Sequence, residues 1–436
     1  MTLPPNPSLP EVHRSLNIPV GAGFWKKLLA FAGPGYLVAV GYMDPGNWAT
    51  DLAGGSKYNY ALLSVILLSS IVAMFLQRLS LKLGIVTGHD LAQSCRRHYG
   101  KAASIPLWIA AEIAIAACDL AEVIGSAIAL NLLFHIPLLW GVIITTLDVL
   151  LLLLLQQKGF RYIEALVIVL IGTIATCFGL ELLFSRPDLA SVLAGFIPSS
   201  SVVTDPGKLF IAVGILGATV MPHNLYLHSS IVQTRRYPLD QVGKREALRF
   251  ATIDSNIALT IALAINAAIL ILSAATFHRA GRTDVAELQD AYHLLTPMLG
   301  ITGASTLFAI ALLAAGQNST LTGTLAGQIV MEGFIEIRIP SWMRRLVTRL
   351  IAIIPAIVVI MIAGEKATTH LLLLSQVILS MQLSFAVIPL IQFTGSRRIM
   401  GEFLDPLWIR ILGWILAGII LALNIWLLLI QFHNGF

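Results

Sequence analysis

Two four-residue steps interrupt apolar stretches of this 436-residue chain: Asp-Pro-Gly-Asn at 44–47 and Met-Pro-His-Asn at 221–224. Proline removes a backbone donor and clashes with the preceding turn, so a helix must open at both places. Inside lipid, an opened backbone is tolerated only where protein or a water-filled cavity surrounds it. One step offers the carboxylate of Asp44 and the other the thioether of Met221, a combination that favours a bound metal ion.

The donor atoms near these steps are mostly oxygens, with one sulfur. Asp44 lies midway through an apolar span, where an ionisable side chain indicates function, and Asn47 presents an amide oxygen on the same side of a local helix. The backbone at Ala218 and Thr219 can free carbonyl oxygens, and Met221 adds its thioether. Mg²⁺ and Ca²⁺ gain little from sulfur, whereas Mn²⁺, Fe²⁺, Co²⁺ and Cd²⁺ accept the mixture. The set predicts a transition-metal site.

Several of these side chains also have ordinary interpretations. A methionine in an apolar helix usually packs, but the position of Met221 beside a break, opposite an intramembrane aspartate, favours a ligand. His223 is either a proton relay or an interior hydrogen-bonded group, and His228 is interpreted as structural. Asn224 could cap the second half-helix instead of touching a substrate. Gln376, in the tenth span, is either a ligand acting through water or a group that hydrogen-bonds another helix.

Three acidic residues follow one another in the third span: Glu112, Asp119 and Glu122. Their spacings of seven and three place all three on one helical face. Acidic residues on one face inside a membrane suggest a path for protons or cations. The alternative is charge pairing with arginines of a neighbouring span, such as Arg344 or Arg345, and the two interpretations are compatible.

The elements that must position these groups are membrane-spanning helices. The chain is 57% hydrophobic and 12% charged, with a mean hydropathy of +0.84, whereas soluble domains carry about 25% charged residues. Three cysteines without a CxxC pattern suggest neither a disulfide framework nor a zinc site. The polar, proline-rich residues 1–20 predict a disordered cytoplasmic tail and not a signal peptide. The net charge of +5 fits basic loops, and no nucleic-acid partner is expected.

The apolar runs predict an all-α polytopic membrane protein with about eleven transmembrane helices. An odd number of spans places the two termini on opposite sides. With the N-terminus cytoplasmic and the C-terminus outside, the outer segments carry only six lysine and arginine residues, and most others lie in cytoplasmic segments, as the positive-inside rule requires. The expected spans are 28–55, 60–84, 104–133, 137–157, 162–184, 207–234, 248–277, 300–334, 342–363, 367–393 and 408–432.

The interrupted spans are the first and the sixth, which suggests two repeats of five helices. Because five is odd, the second repeat enters the membrane from the opposite side, the architecture of transporters with a midplane site. We expect a tail at 1–20, a first repeat at 21–185 with its break at 44–47, and a second repeat at 186–395 with its break at 218–224. Residues 396–436 would form an additional eleventh helix.

Other functions fit these residues less well. A symporter of amino acids or organic cations would bind a carboxylate at its half-helix N-termini, and Asp44 would repel that group. A magnesium carrier would favour an all-oxygen site, which Met221 disfavours. An enzyme is not expected, because the chain contains no HExxH, GxSxG or P-loop pattern. A structural or receptor role would leave the buried acids unexplained.

The motifs together resemble those of the Nramp family of proton-coupled divalent-metal transporters, from about Phe31 to the last span. The family's magnesium-transporting relatives lose the methionine and the asparagine, and this chain keeps both. The motifs are Asp-Pro-Gly-Asn, the stretch from Ala218 to His228, Asp119-Leu-Ala-Glu122 and Ser375-Gln376-Val-Ile-Leu.

The resemblance implies a LeuT-type fold with two inverted five-helix repeats, and specific roles for single residues. The implied metal ligands are Asp44, Asn47, Met221 and the Ala218 carbonyl, with Gln376 and the Gly41 carbonyl joining in some states. The implied proton route contains Asp44, His223, Asp119 and Glu122, with Glu112 and Arg345 in its polar network.

The function expected from residues and resemblance is import of Mn²⁺, and also of Fe²⁺, Co²⁺ and Cd²⁺, by proton symport and alternating access. Metal and protons are the cargo, so no cofactor is expected. A membrane potential that is negative inside favours cation entry by about 2.3 kcal/mol per charge per 100 mV. The compact chain suggests a bacterial inner membrane protein, and one inverted-repeat unit contains a complete site, so a monomer would suffice.

Overall fold

The computed structural model describes residues 7–19, 21–145, 158–336, 341–363 and 367–434, and nearly all of them are helical. Two short strands, β1 (Leu16–Asn17) and β2 (Arg235–Arg236), pair in parallel. The helices are α1 (Phe24–Phe31), α2 (Pro34–Val40), α3 (Pro45–Tyr58), α4 (Leu63–Thr87), α5 (Leu91–Phe134), α6 (Leu138–Ile144), α7 (Phe160–Ser185), α8 (Leu189–Gly195), α9 (Ser201–Thr204), α10 (Pro206–Thr219), α11 (Pro222–Ile231), α12 (Gln241–Thr276), α13 (Leu288–Leu299), α14 (Ala304–Ile335), α15 (Ser341–Ala363), α16 (Ala367–Thr394), α17 (Arg397–Met400) and α18 (Leu407–Asn434).

Within the described ranges, seven helical segments are long and apolar enough to cross a membrane. The prediction of an all-α, multi-pass membrane protein is therefore confirmed. The number eleven stays a prediction, and much of the fourth expected span, 137–157, lies outside the described residues. The seven segments are Pro45–Thr87, Leu91–Phe134, Phe160–Ser185, Pro206–Thr234, Gln241–Ala280, Leu374–Thr394 and Leu407–Trp426.

The first expected span, 28–55, is divided into three helices instead of two. Helix α1 ends before Gly33, which has a φ of 139° that suits glycine. A side chain there would also collide with the carboxylate of Glu164. After α2, a 3-10 turn at Gly41–Met43 leads to Asp44, whose backbone is extended, with φ −71° and ψ 164°.

The second break is shorter and lies between α10 and α11. Val220 and Met221 leave the helical region, and α11 begins at Pro222. Proline is common at the first position of a helix, because the backbone N–H group that it lacks would have no partner within the helix there. Both breaks therefore lie just before their prolines, at 41–44 and 220–221, whereas the sequence pattern suggested 44–47 and 218–224. Asn47 and Asn224 consequently belong to the first turns of the helices that follow.

Five long helices surround the two breaks. Helix α12 packs along α2 and α3, and α14 packs along α5. The half-helix α11 lies against α4, α5 and α14, while α16 contacts α3, α10 and α11. The opened backbone is thus enclosed by protein, which is the condition for an interrupted helix in a bilayer.

The N-terminal segment packs against the helices from residue 7 to residue 19. Leu9 is only 2% exposed, and its backbone N–H donates to Glu332 of α14 at 2.9 Å. Arg14 donates to the carbonyl of Tyr237 at 2.8 Å, just beyond the β1–β2 pair. The expected disordered tail therefore does not hold for 7–19, because apolar and backbone contacts far along the chain order a polar segment.

A buried ion pair connects the chain around both broken helices. Arg235, whose side chain is 0% exposed, donates to Glu164 of α7 at 2.5 Å and to the carbonyl of Ala32 at 2.6 Å. Arg161 contacts the other oxygen of Glu164 at 3.1 Å. Since Ala32 precedes α2 and Arg235 follows α11, this cluster fixes the two half-helices to α7.

We predict that Glu164→Ala destabilises the protein by about 3–5 kcal/mol, because it leaves the Arg235 charge buried without its counter-ion. The free energy of unfolding in mixed detergent micelles measures this change. The control is Glu402→Ala, which removes an exposed pair with Arg245 at 4.0 Å and should cost about 0–1 kcal/mol. Equal effects of the two substitutions would contradict a role of the buried pair in stability.

Candidate metal site

Three oxygen atoms from both breaks converge on the side-chain amide of Asn47. Its nitrogen lies 2.7 Å from Oδ1 of Asp44, 3.1 Å from the Ala218 carbonyl and 3.3 Å from the Gly41 carbonyl. The amide donor therefore occupies a position where a cation would meet the same three oxygens. A half-turn of the amide would present its oxygen to that point instead, since the two ends of an amide have nearly the same shape.

Asp44 combines two tasks on one buried carboxylate. Its Oδ1 caps α3 by accepting the backbone N–H of Asn47 at 2.8 Å, which satisfies an otherwise unpaired donor of the first turn. Its Oδ2 is buried and makes no hydrogen bond of normal geometry among the described residues, while the side chain of Gln376 interacts with this carboxylate. Burying such an oxygen is costly without a partner. Oδ2 is therefore available for a cation or a proton while Oδ1 keeps the helix cap.

Met221 and Gln376 approach the breaks from different sides. Met221 is the last residue before α11, and its buried side chain packs against Ala114, Cys118 and Leu379. The amide of Gln376 lies directly against Gly46, where a side chain would collide with it. Met221 lies in the second break, and Gln376 lies in α16, the helix that corresponds to the expected tenth span.

A cavity of about 550 Å³ approaches the breaks from one side, between α3 and α10. Its lining includes Thr50, one turn beyond Asn47, and Gln376, together with the charged residues Lys57 and Asp284. Beyond the breaks, all residues of α11 and most of α2 are buried, and Asn224 of α11 lies against Gly41. The described residues thus contain a cavity on the α3–α10 side of the breaks.

The acidic pair of α5 connects to the second break through a cysteine. The Cys118 thiol donates to Oε1 of Glu122 at 3.3 Å and lies 3.8 Å from Nε2 of His223. Ser319 of α14 donates to the same Glu122 oxygen at 2.7 Å. Gly323 leaves room for this arrangement, because a Cβ there would lie 3.1 Å from the carboxylates of both acids, Glu122 and Asp119.

Glu112 and His228 make hydrogen bonds with residues outside the two breaks. Glu112 is half-buried, two turns before Asp119, and accepts the indole N–H of Trp108 at 3.0 Å. His228 lies 2.9 Å from Gln77, an interior hydrogen bond that agrees with its structural interpretation. The side chain of Arg345 lies outside the described residues.

Sequence reasoning missed two features of the site. It assigned no role to Cys118, because nothing local signals that the thiol lies between His223 and Glu122. For Asn224 it left open a helix cap or contact with a substrate, and it did not foresee that the side chain packs against Gly41. Its position three residues after Met221, on the same face of α11, is the signal that the sequence offers.

Comparison with known proteins gives a consistent result over nearly the whole chain. The family model for natural resistance-associated macrophage protein-like (Nramp) proteins matches residues 35–430. A divalent metal cation transporter MntH from Nostoc sp. is 63% identical over 430 residues, covering 98% of this chain and 97% of the relative. The MntH from Bradyrhizobium diazoefficiens is 60% identical over 426 residues, covering 98% and 95%.

Solved structures agree with this assignment. The Eremococcus coleocola manganese transporter, crystallised with an aromatic bis-isothiourea compound, has a TM-score of 0.91 at 45% identity and covers 96% of this chain and 90% of its own. Inward-facing Mhp1 has a TM-score of 0.58 at 15% identity, covering 98% and 94%, a similarity of fold alone. The expected LeuT-type fold is thereby confirmed. On the family model and on relatives above 60% identity, the chain belongs to the Nramp family.

Proposed function

We propose that this protein imports divalent transition-metal ions, Mn²⁺ above all, together with protons. The observation that carries the proposal is the convergence of the Asp44 carboxylate and the Gly41 and Ala218 carbonyls on the Asn47 amide. The names of the similar proteins, divalent metal cation transporters and a manganese transporter, support the same cargo.

Metal binding proceeds by exchange of one donor for another. An ion that enters through the cavity meets Oδ2 of Asp44, and the Asn47 amide turns so that its oxygen replaces its nitrogen. The Ala218 carbonyl, released from Asn47, becomes a further ligand, and Met221 supplies the thioether. Gln376 approaches the ion from α16 in some states. This mixture of hard oxygens and one soft sulfur favours Mn²⁺, Fe²⁺, Co²⁺ and Cd²⁺ over Mg²⁺ and Ca²⁺.

Protons follow a neighbouring route. Asp44 takes up a proton, and His223 connects the break to Glu122 through the Cys118 thiol, with which both make contact. Asp119 and Glu112 continue the acidic face of α5, and Arg345 completes the polar network of this route. Acidic side chains lining one face within a membrane are typical of proton relays.

Alternating access follows from the two-sided arrangement of the site. The cavity along α3 and α10 forms the outer path, and the packed side between α2 and α11 forms the inner one. The repeats 21–185 and 186–395 would rock against each other around the fixed site, with 396–436 outside them. The N-terminus lies in the cytoplasm and the C-terminus outside, and the protein works as a monomer in a bacterial inner membrane.

We predict that native protein in proteoliposomes takes up Mn²⁺ at low external pH with Mg²⁺ and Ca²⁺ in excess, and that Met221→Ala admits Ca²⁺ or Mg²⁺. Loss of the thioether removes the feature that penalises hard ions. Met361→Ala changes an exposed methionine and serves as the control, with native selectivity expected. Native protein without Mn²⁺ uptake, or with uptake abolished by Mg²⁺, would favour a magnesium or organic-substrate carrier instead.

We also predict that Glu122→Gln reduces the protons that enter per Mn²⁺ ion. Glutamine keeps an oxygen that accepts from Ser319 and Cys118 but cannot carry a proton. A pH-sensitive dye inside the vesicles, read together with Mn²⁺ uptake, measures this ratio. Glu402→Gln, at an exposed carboxylate, should retain the native ratio, and a native ratio in Glu122→Gln would exclude this residue from the proton route.

A further inference from the structure

Asn224 is a buried amide that the proposed transport site does not use. It lies in the first turn of α11, three residues after Met221, and it is 0% exposed. Neither its Oδ1 nor its Nδ2 has a hydrogen-bond partner among the described residues. Buried polar atoms in native proteins are nearly always paired, so each exception calls for an explanation.

Helix capping does not explain this amide. Helix α11 begins at Pro222, and the cap position is Met221, which makes no side-chain cap hydrogen bond. Asn224 lies inside the helix, where its amide cannot serve the unpaired donors as an N-cap residue does. Leaving two buried amide atoms without partners costs about 1–3 kcal/mol for each atom. A leucine of similar volume would avoid that cost.

The side chain of Asn224 lies against Gly41, a residue of the first break. Its Nδ2 lies against Gly41, and a Cβ at Gly41 would collide with it. The Gly41 carbonyl is one of the three oxygens that converge on the Asn47 amide, and it accepts from that amide at 3.3 Å. Asn224 therefore packs against a residue of the candidate metal site. This contact joins the 3-10 turn that follows α2 to α11, whereas the cavity lies between α3 and α10. In the proposed inner path between α2 and α11, Gly41 and Asn224 therefore touch beside the candidate metal site.

We propose that Asn224 is a further metal-contacting residue, which takes up the ion on the exit side of the site. As α2 and α11 separate, the Asn224 amide oxygen and the Gly41 carbonyl bind the ion that Asp44 and Ala218 release. Both are hard, neutral oxygen ligands suited to Mn²⁺. Neutral ligands hold the ion weakly enough to release it, as conduction through successive sites requires. This inference rests on the proposed metal transport.

The decisive variant is Asn224→Leu, which keeps the volume and removes the oxygen. We expect the maximal Mn²⁺ uptake rate to fall about tenfold with little change in KM, because a contact made only during exit affects turnover and not initial binding. Calorimetric Mn²⁺ affinity should stay near the native value, and thermal stability should stay native or rise. Asn256→Leu, at an exposed position of α12, is the matched control with native uptake expected.

Asn224→Asp provides a second test that does not depend on the leucine variant folding. A carboxylate binds Mn²⁺ more tightly than an amide, so tighter binding in the exit state raises the apparent Mn²⁺ affinity and slows turnover. Unchanged affinity and turnover in Asn224→Asp would overturn the proposal. So would native uptake by Asn224→Leu, or a fall in its uptake that matches a fall in its thermal stability.

The result for the native protein separates the two proposals. If native protein takes up no Mn²⁺, the proposed function itself fails. If native protein takes up Mn²⁺ and both Asn224 variants match it in rate and affinity, only the exit-side role fails.

Discussion

The arrangement of this protein depends on one constraint: two helices of a multi-pass membrane protein are broken within the helical bundle, and their freed backbone groups must be satisfied there. Lipid offers them no partners, so the surrounding helices α4, α5, α12, α14 and α16 must enclose both breaks. Within that enclosure the Asn47 amide bonds to carbonyls of both broken helices. The same requirement that permits the breaks therefore brings their oxygen atoms to one point.

The hydrogen bonds that satisfy the freed carbonyl groups can also be exchanged for other partners. Hydrogen bonds from one amide hold the Gly41 and Ala218 carbonyls without saturating them, since each carbonyl oxygen has two lone pairs. A cation can replace the amide donor without exposing either carbonyl to lipid. The buried pair of Glu164 and Arg235 fixes the chain next to the half-helices α2 and α11. The hydrogen bonds at the centre of the candidate site can therefore be exchanged, whereas the buried ion pair holds the chain beside α2 and α11 in place.

The sequence predicts the parts of the site that depend on local chemistry. A proline inside an apolar run, or a carboxylate such as Asp44 there, is conspicuous wherever it occurs, so the breaks and candidate ligands could be found by inspection. The missed features depend on contacts between distant residues. Cys118 lies beside His223, and Gly41 beside Asn224, only after the helices have packed. The ordered segment 7–19 belongs to the same class, because its partners lie more than 200 residues away.

The two breaks differ in a way that bears on how a metal can bind. Asp44 caps α3 through Oδ1, whereas Met221 precedes α11 without a side-chain cap. If metal binding required both Asp44 oxygens, it would remove the cap and cost about 0.5–2 kcal/mol of helix stability. Binding through Oδ2 alone avoids that cost, because Oδ1 keeps the backbone N–H of Asn47. In the proposed metal site the carboxylate would therefore bind through one oxygen, which would leave coordination positions for the proposed neutral oxygens and the thioether.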